Sequence, residues 1–378
     1  MNVVIAPDSF KECLSAKEVA LNMALGVAEI MPEAEIVQIP ISDGGEGMLE
    51  ALVNGSQGRF VSVKVKDPLL RDIEAQYGIL DDQKTAVIEL AKASGLDLLA
   101  EKEKDPLSTS TFGTGQLIKD ALDKGCTKLI IGIGGSATND AGTGMISALG
   151  ARFLNAKGEI LKQGGGSLGE LERIDISDLD KRLADCEVLV ACDVSNPLTG
   201  ETGASFVYGG QKGGSHETLQ LLDKNLTHYA AILKKDLNIA IDTVPGSGAA
   251  GGTGAALMAF MGGKLTEGIG LVLDTLNMDE YLKKADVVIT GEGKIDQQTL
   301  YGKTIAGIAK MAKRHNVPVI VITGKIGDAI GGIYENGVTA VFSIVDQPME
   351  LEHAITDAPR LIQNCTKAVF QTIQRFKK

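Results

Sequence analysis

The run Ala285-Asp-Val-Val-Ile-Thr290, the segment Thr304–His315 and the run Val317-Pro-Val-Ile-Val-Ile-Thr323 decide how the chain is read. Two short, continuous, β-branched stretches flank a segment with helical spacing. That is the pattern of a strand–helix–strand unit whose strands are buried on both faces. Thr339–Ile344 reads as a further strand. A closing helix runs from near Asp357 and Pro359 to about Phe376, with Leu361, Ile362, Val369 and Ile373 on its apolar face. A proline in that first turn is tolerated, because the N–H it lacks has no helical partner. The same rhythm opens the chain. Asn2–Ala6 is a strand, and Ser15-Ala-Lys-Glu18 is a capping box for a helix carrying Ala20, Met23, Ala24, Val27 and Ile30. Pro32 stops that helix, and Glu35–Pro40 is a second strand. Two strands from the start and three from the end, joined by right-handed crossovers, fit a flavodoxin-like parallel sheet of order 2-1-3-4-5. The expected fold class is α/β: a flavodoxin-like domain formed by 1–59 and 278–378, with a second α/β domain, 60–277, inserted.

Within the insertion, Phe60–Val65, Ala75–Leu80 and Thr85–Leu90 read as strands around a turn at Asp67-Pro68. A helix is expected over Gly115–Asp123, strands over Lys128–Ile133 and Glu187–Cys192, and helices over Thr218–Leu233 and Gly254–Met261. The glycine-containing stretch Asn54–Gly58 is the expected hinge at the junction.

Composition narrows the function. The 378 residues include 46 glycines, about 12% against a usual share of about 7%, with no Gly-X-Y period. The glycines therefore mark loops with special backbone geometry. A net charge of −12 and a pI near 5.0 repel phosphate backbones, which argues against nucleic acid or an anionic membrane as partner. No apolar run is long enough for a membrane span, and the first residues lack a basic, signal-like segment. Five scattered cysteines without CxxC spacing read as buried free thiols of a cytoplasmic protein. The four histidines lack zinc-ligand spacing.

Ligands of open α/β sheets bind beyond the carboxyl ends of the strands. Four such ends in the split domain carry chemistry. They are Pro7-Asp-Ser-Phe-Lys11, Ser42-Asp-Gly-Gly-Glu-Gly47, Gly291-Glu-Gly-Lys-Ile-Asp296 with Gly302-Lys-Thr304, and Gly324-Lys325. The insertion adds Ile131-Gly-Ile-Gly-Gly-Ser-Ala-Thr-Asn-Asp140, Cys192-Asp-Val-Ser-Asn-Pro197 and Pro245-Gly-Ser-Gly-Ala-Ala-Gly-Gly-Thr-Gly254. Glycines there let backbone amides approach an anion. An acidic protein that handles phosphate needs such neutral cradles and a metal. Two spacings, Gly246-x-Gly248-x-x-Gly251 and Gly132-x-Gly134-x-x-Ala137, also match a dinucleotide fingerprint, so an NAD-dependent oxidoreductase acting on a small hydroxy acid is the alternative. A non-catalytic small-anion sensor is a third reading. Gly302-Lys303-Thr304 ends like a P-loop, but Gln297 breaks the pattern.

Several of these motifs together resemble the type 1 glycerate kinase family. They are Ala6-Pro-Asp-Ser-Phe-Lys11, Asp43-Gly-Gly-Glu-Gly47, Gly134-Gly-Ser-Ala-Thr-Asn-Asp140, Cys192-Asp-Val-Ser-Asn-Pro-Leu198, Gly248-Ala-Ala-Gly-Gly252 and Thr290-Gly-Glu-Gly-Lys-Ile-Asp296, continuing into Gln298-Thr299. The resemblance covers essentially the whole chain, with the motifs in family order. It implies ATP-dependent phosphorylation of D-glycerate and a flavodoxin-like domain with an inserted α/β domain. Ala141 and Gly210 depart from it, standing where the family often has Gly and Pro.

Roles can then be assigned from residue chemistry. Lys11 faces the glycerate carboxylate, with Asp8 and Ser9 on the hydroxyls. Gly134, Gly135 and Ser136, with Gly251 and Gly252 opposite, present amides to the nucleotide, and Lys303 contacts its phosphates. Asp193 and Asp296 hold Mg²⁺, with Glu292 in reach of the same ion, and Asp43 takes the hydroxyl proton. Closure about the junctions near Gly58 and Asn277 is expected to exclude water. Residue chemistry does not choose between the hydroxyls; the family resemblance implies the 2-position over the 3-position as acceptor. The residues leave open whether the protein forms a homo-oligomer.

Overall fold

Val3, Val4 and Ile5 are buried because the strand Asn2–Ile5 lies inside a sheet and not at its edge. The computed structural model describes residues 1–296, 299, 303–328 and 330–376, with the backbone alone at 303. Contacts divide it into two compact units, Met1–Gly55 with Ile269–Lys378, and Ser56–Gly268.

The first unit is built on a five-stranded sheet in the order Val338–Ser343, Val319–Thr323, Val287–Thr290, Asn2–Ile5 and Glu35–Gln38. Every pairing is parallel, and the order is the expected 2-1-3-4-5. Val3, Val4 and Ile5 pair with Val287, Val288 and Ile289, so the start and the late part of the chain share the sheet's centre. The helix Ala16–Ile30 begins at its capping box: Ser15 Oγ accepts from Glu18 N at 3.3 Å and Glu18 Oε2 accepts from Ser15 N at 2.9 Å. Its face Val19, Met23 and Val27 packs with Leu361, Ile362, Val369 and Phe370 of the helix Ala358–Phe376. Each such buried side chain contributes about 1.5–3 kcal/mol, so apolar burial anchors the last helix.

The second unit has a six-stranded sheet in the order Lys264–Thr266, Glu187–Ala191, Lys128–Gly132, Thr85–Glu89, Asp72–Ile79 and Arg59–Lys66. The first four strands are parallel, and the last two add an antiparallel hairpin around the turn at Asp67. Asp67 Oδ1 shapes that turn by accepting from Leu69 N at 2.8 Å and Arg71 N at 2.9 Å.

Some local expectations need correction. Ile269–Asn277, assigned from sequence to the insertion, belongs to the first unit: Ile269 and Leu273 lie against Gly307, and Leu276 against Gly55. Asn54 and Gly55 end the helix Met48–Gly55, so the stretch expected as a hinge is partly helical. The helix expected from Gly254 spans Ala249–Met261, but Ala250, Gly251 and Gly252 are left-handed inside it. Of the cysteines, only Cys126 is buried and the other four are half-buried. No helix among the described residues is long and apolar enough to cross a membrane.

Candidate active site

Four acids gather at the carboxyl edge of the first unit's sheet. Asp8 follows the strand Asn2–Ile5, Asp43 follows Glu35–Gln38, and Glu292 and Asp296 follow Val287–Thr290. Asp8 Oδ1 accepts from Ser9 N at 2.6 Å, and its Oδ2 accepts from Thr304 Oγ1 at 2.8 Å. Burial raises the Asp8 pKa despite those bonds, and the charge of Asp43 adds to the rise. Glu292 is pushed up to about 7, chiefly by burial and then by the charges of Asp8 and Asp296, with Thr299 and Lys11 opposing. Thr299 Oγ1 donates to Glu292 Oε1 at 2.7 Å, and Thr323 Oγ1 donates to the Glu292 carbonyl at 2.8 Å. Three strand ends therefore deliver carboxylates that feel one another, and the charge of Lys11 reaches Glu292.

The acids are held by local turns. Gly45 N donates to Asp43 Oδ1 at 2.9 Å in an Asx turn. Asp296 N donates to Thr299 Oγ1 at 3.1 Å while Thr299 N donates back to the Asp296 carbonyl at 3.0 Å. Asp296 also pairs with Lys294 at 2.6 Å, an exposed contact of modest worth. Lys11 is exposed on a turn closed by Phe10 N donating to Leu14 O at 2.9 Å, with Phe10 buried beneath it.

In the second unit, the loop after the strand Lys128–Gly132 begins with Gly134 and Gly135 exposed and then turns inward, with Ser136 to Asp140 buried. Asp140 is fully engaged: Oδ2 accepts from Thr111 N and Oγ1 at 2.8 Å and from Gly144 N at 3.2 Å, and Oδ1 from Gly142 N at 3.1 Å. It organises the loop. Gly251 and Gly252 are buried, and a Cβ on Gly251 would lie 2.0 Å from the Thr138 carbonyl oxygen. Gly252 N donates to Gly248 O at 3.3 Å, and Gly251 O accepts from Ala141 N at 3.0 Å. These two glycines let one loop lie on the other; they are not laid open as Gly134 and Gly135 are. Asp193 Oδ1 accepts from Gly268 N at 2.9 Å, at the start of the helix Gly268–Thr275. It therefore belongs to the second unit, whereas Glu292 and Asp296 belong to the first. Lys303 opens the helix Lys303–Arg314, but its side chain lies outside the described residues, as do Gln297, Gln298 and Gly302.

Residues 3–374 match the model of the glycerate kinase family. The chain belongs to the glycerate kinase family. It is 48% identical to the glycerate kinase of Halalkalibacterium halodurans, covering 97% of both chains. It is likewise 48% identical to the glycerate 2-kinase of Escherichia coli, covering 99% of this chain and 98% of that one. The crystal structure described as "putative glycerate kinase 2 from Salmonella typhimurium LT2" superposes with a TM-score of 0.92 at 48% identity, covering 99% of this chain and 98% of the other. The protein is an enzyme of the kinase class.

The dinucleotide alternative lacks its structural context. A fingerprint loop leaves a strand and enters a helix at once. After Gly132-x-Gly134-x-x-Ala137 the next helix starts only at Thr143, and no strand immediately precedes Gly246. Sequence reasoning also passed over Lys212. This kinase buries it on a short turn, Gly210–Lys212, where Nζ donates to Ser136 Oγ at 2.8 Å and to the Thr138 carbonyl at 2.6 Å. The available signal was a lone lysine between two glycine pairs, Gly209-Gly210 and Gly213-Gly214.

Proposed function

We propose that the protein transfers the terminal phosphoryl group of ATP to D-glycerate, with the 2-hydroxyl as acceptor. One observation carries this: relatives matched over nearly their whole length are named glycerate kinase, and one of them glycerate 2-kinase. Dependence on ATP argues for the cytoplasm as its place of action. The test is ADP release that requires both ATP and D-glycerate, followed by phosphorus NMR of the product. A phosphoglycerate substituted at the 3-position would overturn the regiochemistry alone.

In this reading the first unit supplies the acceptor side. Lys11 meets the glycerate carboxylate, Asp8 and Ser9 hold hydroxyls, and Asp43 takes the proton of the attacking hydroxyl. The second unit supplies Gly134, Gly135 and Ser136 for the nucleotide phosphates. Among the described residues no three His, Cys, Asp or Glu side chains form a metal cage. Mg²⁺ asks for less, one or two carboxylates with water and phosphate oxygens completing the shell. Glu292 beside Asp296 fits that demand, because mutual repulsion among the acids makes a cation there favourable. Bound Mg²⁺ would offset charge on the transferring phosphoryl group. Asp193 is better explained by its bond to Gly268 N, so the proposed metal set narrows to Glu292 and Asp296.

Lys11 offers a direct check on substrate capture. A charge-assisted hydrogen bond is worth roughly 1.5–3 kcal/mol, so Lys11→Ala should lower kcat/KM for glycerate about ten- to a hundredfold. The side chain is exposed, so stability should hold. Wild-type kinetics in the variant would remove Lys11 from the site.

A further inference from the structure

We infer that Lys212 is a positioning residue that commits the Ser136 hydroxyl to donating to a phosphate oxygen of the bound nucleotide. The inference rests on the reading that Gly134, Gly135 and Ser136 receive those phosphates.

A lysine ammonium has hydrogens to give and no lone pair to accept with. Where Lys212 Nζ donates to Ser136 Oγ, the serine oxygen is the acceptor, and its own hydrogen must go to another group. Among the described residues Ser136 Oγ has no other hydrogen-bond partner. The main chain at Ser136 is fixed by its bridge to Gly95, and the flanking bonds Leu96 N to Gly135 O and Ala137 N to Ser94 O, both 2.9 Å, leave the loop little freedom. The hydroxyl comes directly after the exposed pair Gly134 and Gly135. Its hydrogen is thus a donor in reserve beside two open amides, which is what an incoming phosphate oxygen needs.

The lysine is equally constrained. Its second bond, to the Thr138 carbonyl, ties it to the same loop two residues on. The turn that carries it ends at Gly213, whose φ of +92° and whose position against the Lys104 carbonyl admit no side chain. Burial pulls the Lys212 pKa down to about 7, while the charge of Asp140 works to keep the proton on. A phosphate bound at Ser136 brings further negative charge, which favours the ammonium and so the donor direction the inference needs.

The test is a double-mutant cycle on the full-length enzyme: Lys212→Met, Ser136→Ala and the pair. ATP KM, glycerate KM, kcat and melting temperature are measured for each. If Lys212 acts through Ser136, each single change raises ATP KM about tenfold, glycerate KM and kcat move less than about twofold, and the double variant is no worse than the more affected single. Lys212→Arg keeps the donors and should recover most of the ATP affinity. Additive effects, or an unchanged ATP KM in Lys212→Met, would overturn the inference. Ser136→Ala keeps the Lys212 bond to Thr138 and leaves the fold intact, so an unchanged ATP KM in that variant is decisive even where Lys212→Met does not fold. A wild type without glycerate-dependent ADP release would instead overturn the functional reading and this inference with it.

Discussion

Glu292→Gln should make the ligand-free protein more stable at pH 8 and reduce turnover by at least about a hundredfold. Both effects come from one cause. Burial, joined by the charges of Asp8 and Asp296, lifts the Glu292 carboxyl to about 7 from its ordinary 4.5. Between those values the folded protein holds a proton that the unfolded chain has already lost. Stability therefore falls as pH rises from about 4.5 to about 7, and the penalty is complete above that window. At 1.36 kcal/mol per pH unit across that window the loss is on the order of 3 kcal/mol. Glutamine carries no charge at any pH, and its carbonyl can still accept from Thr299 Oγ1, so the variant escapes the penalty and keeps the local bond. The activity loss arises because the unfavourable carboxylate is what draws a divalent cation to this edge. Thermal melts at pH 5 and pH 8 separate the outcomes. The variant should melt several degrees higher than the wild type at pH 8 and nearly level with it at pH 5. Equal melting at pH 8 would mean that Glu292 carries no strained charge, and near-normal turnover would remove it from the reaction.

Much of this edge was legible in the sequence, for a physical reason. Continuous β-branched runs such as Val287–Thr290 and Val319–Thr323 are buried on both faces, so local chemistry alone marks them, and the loop after each strand must lie at the ligand-binding edge. Asp8, Glu292 and Asp296 are found that way, and Asp43 after the partly exposed edge strand Glu35–Gln38. The strand Lys264–Thr266 is not, because three residues, two of them polar, carry no period. Ile269–Asn277 was misassigned because its apolar residues look the same whichever unit they cover; only their packing on Gly55 and Gly307 decides. Lys212 escaped for a related reason. Its partners lie 76 and 74 residues away, and a single lysine announces neither its burial nor its direction. The same blindness affects glycine. A sequence reports that a position lacks a side chain but not whether the space is kept for a ligand or filled by another part of the chain.

That last ambiguity yields a paired prediction, Gly135→Ala against Gly251→Ala. Both positions have positive φ, +68° and +65°, so each alanine carries a backbone cost of about 1–2 kcal/mol. The surroundings differ. A Cβ at Gly135 meets only Ala91 Cβ, at 3.3 Å, and the residue is exposed. Gly135→Ala should fold, lose little more than the backbone cost, and show a raised ATP KM where the new methyl meets the nucleotide. At Gly251 the Cβ would lie 2.0 Å from the Thr138 carbonyl oxygen and 2.7 Å from Asn139 Cα. Neither atom belongs to a side chain that can swing aside, and the Ala141 N–H bond to Gly251 O pins the two loops together from the other side. Relief requires the two buried loops to separate, which also disturbs the Asp140 network next to them. The expected cost exceeds about 4 kcal/mol, the range reached only when strain and a broken buried network combine. Soluble yield and protease resistance should collapse for Gly251→Ala while Gly135→Ala stays close to wild type. If Gly251→Ala instead folds normally and only its ATP KM rises, then Gly251 faces the nucleotide after all, and the two loops do not rest on each other as described.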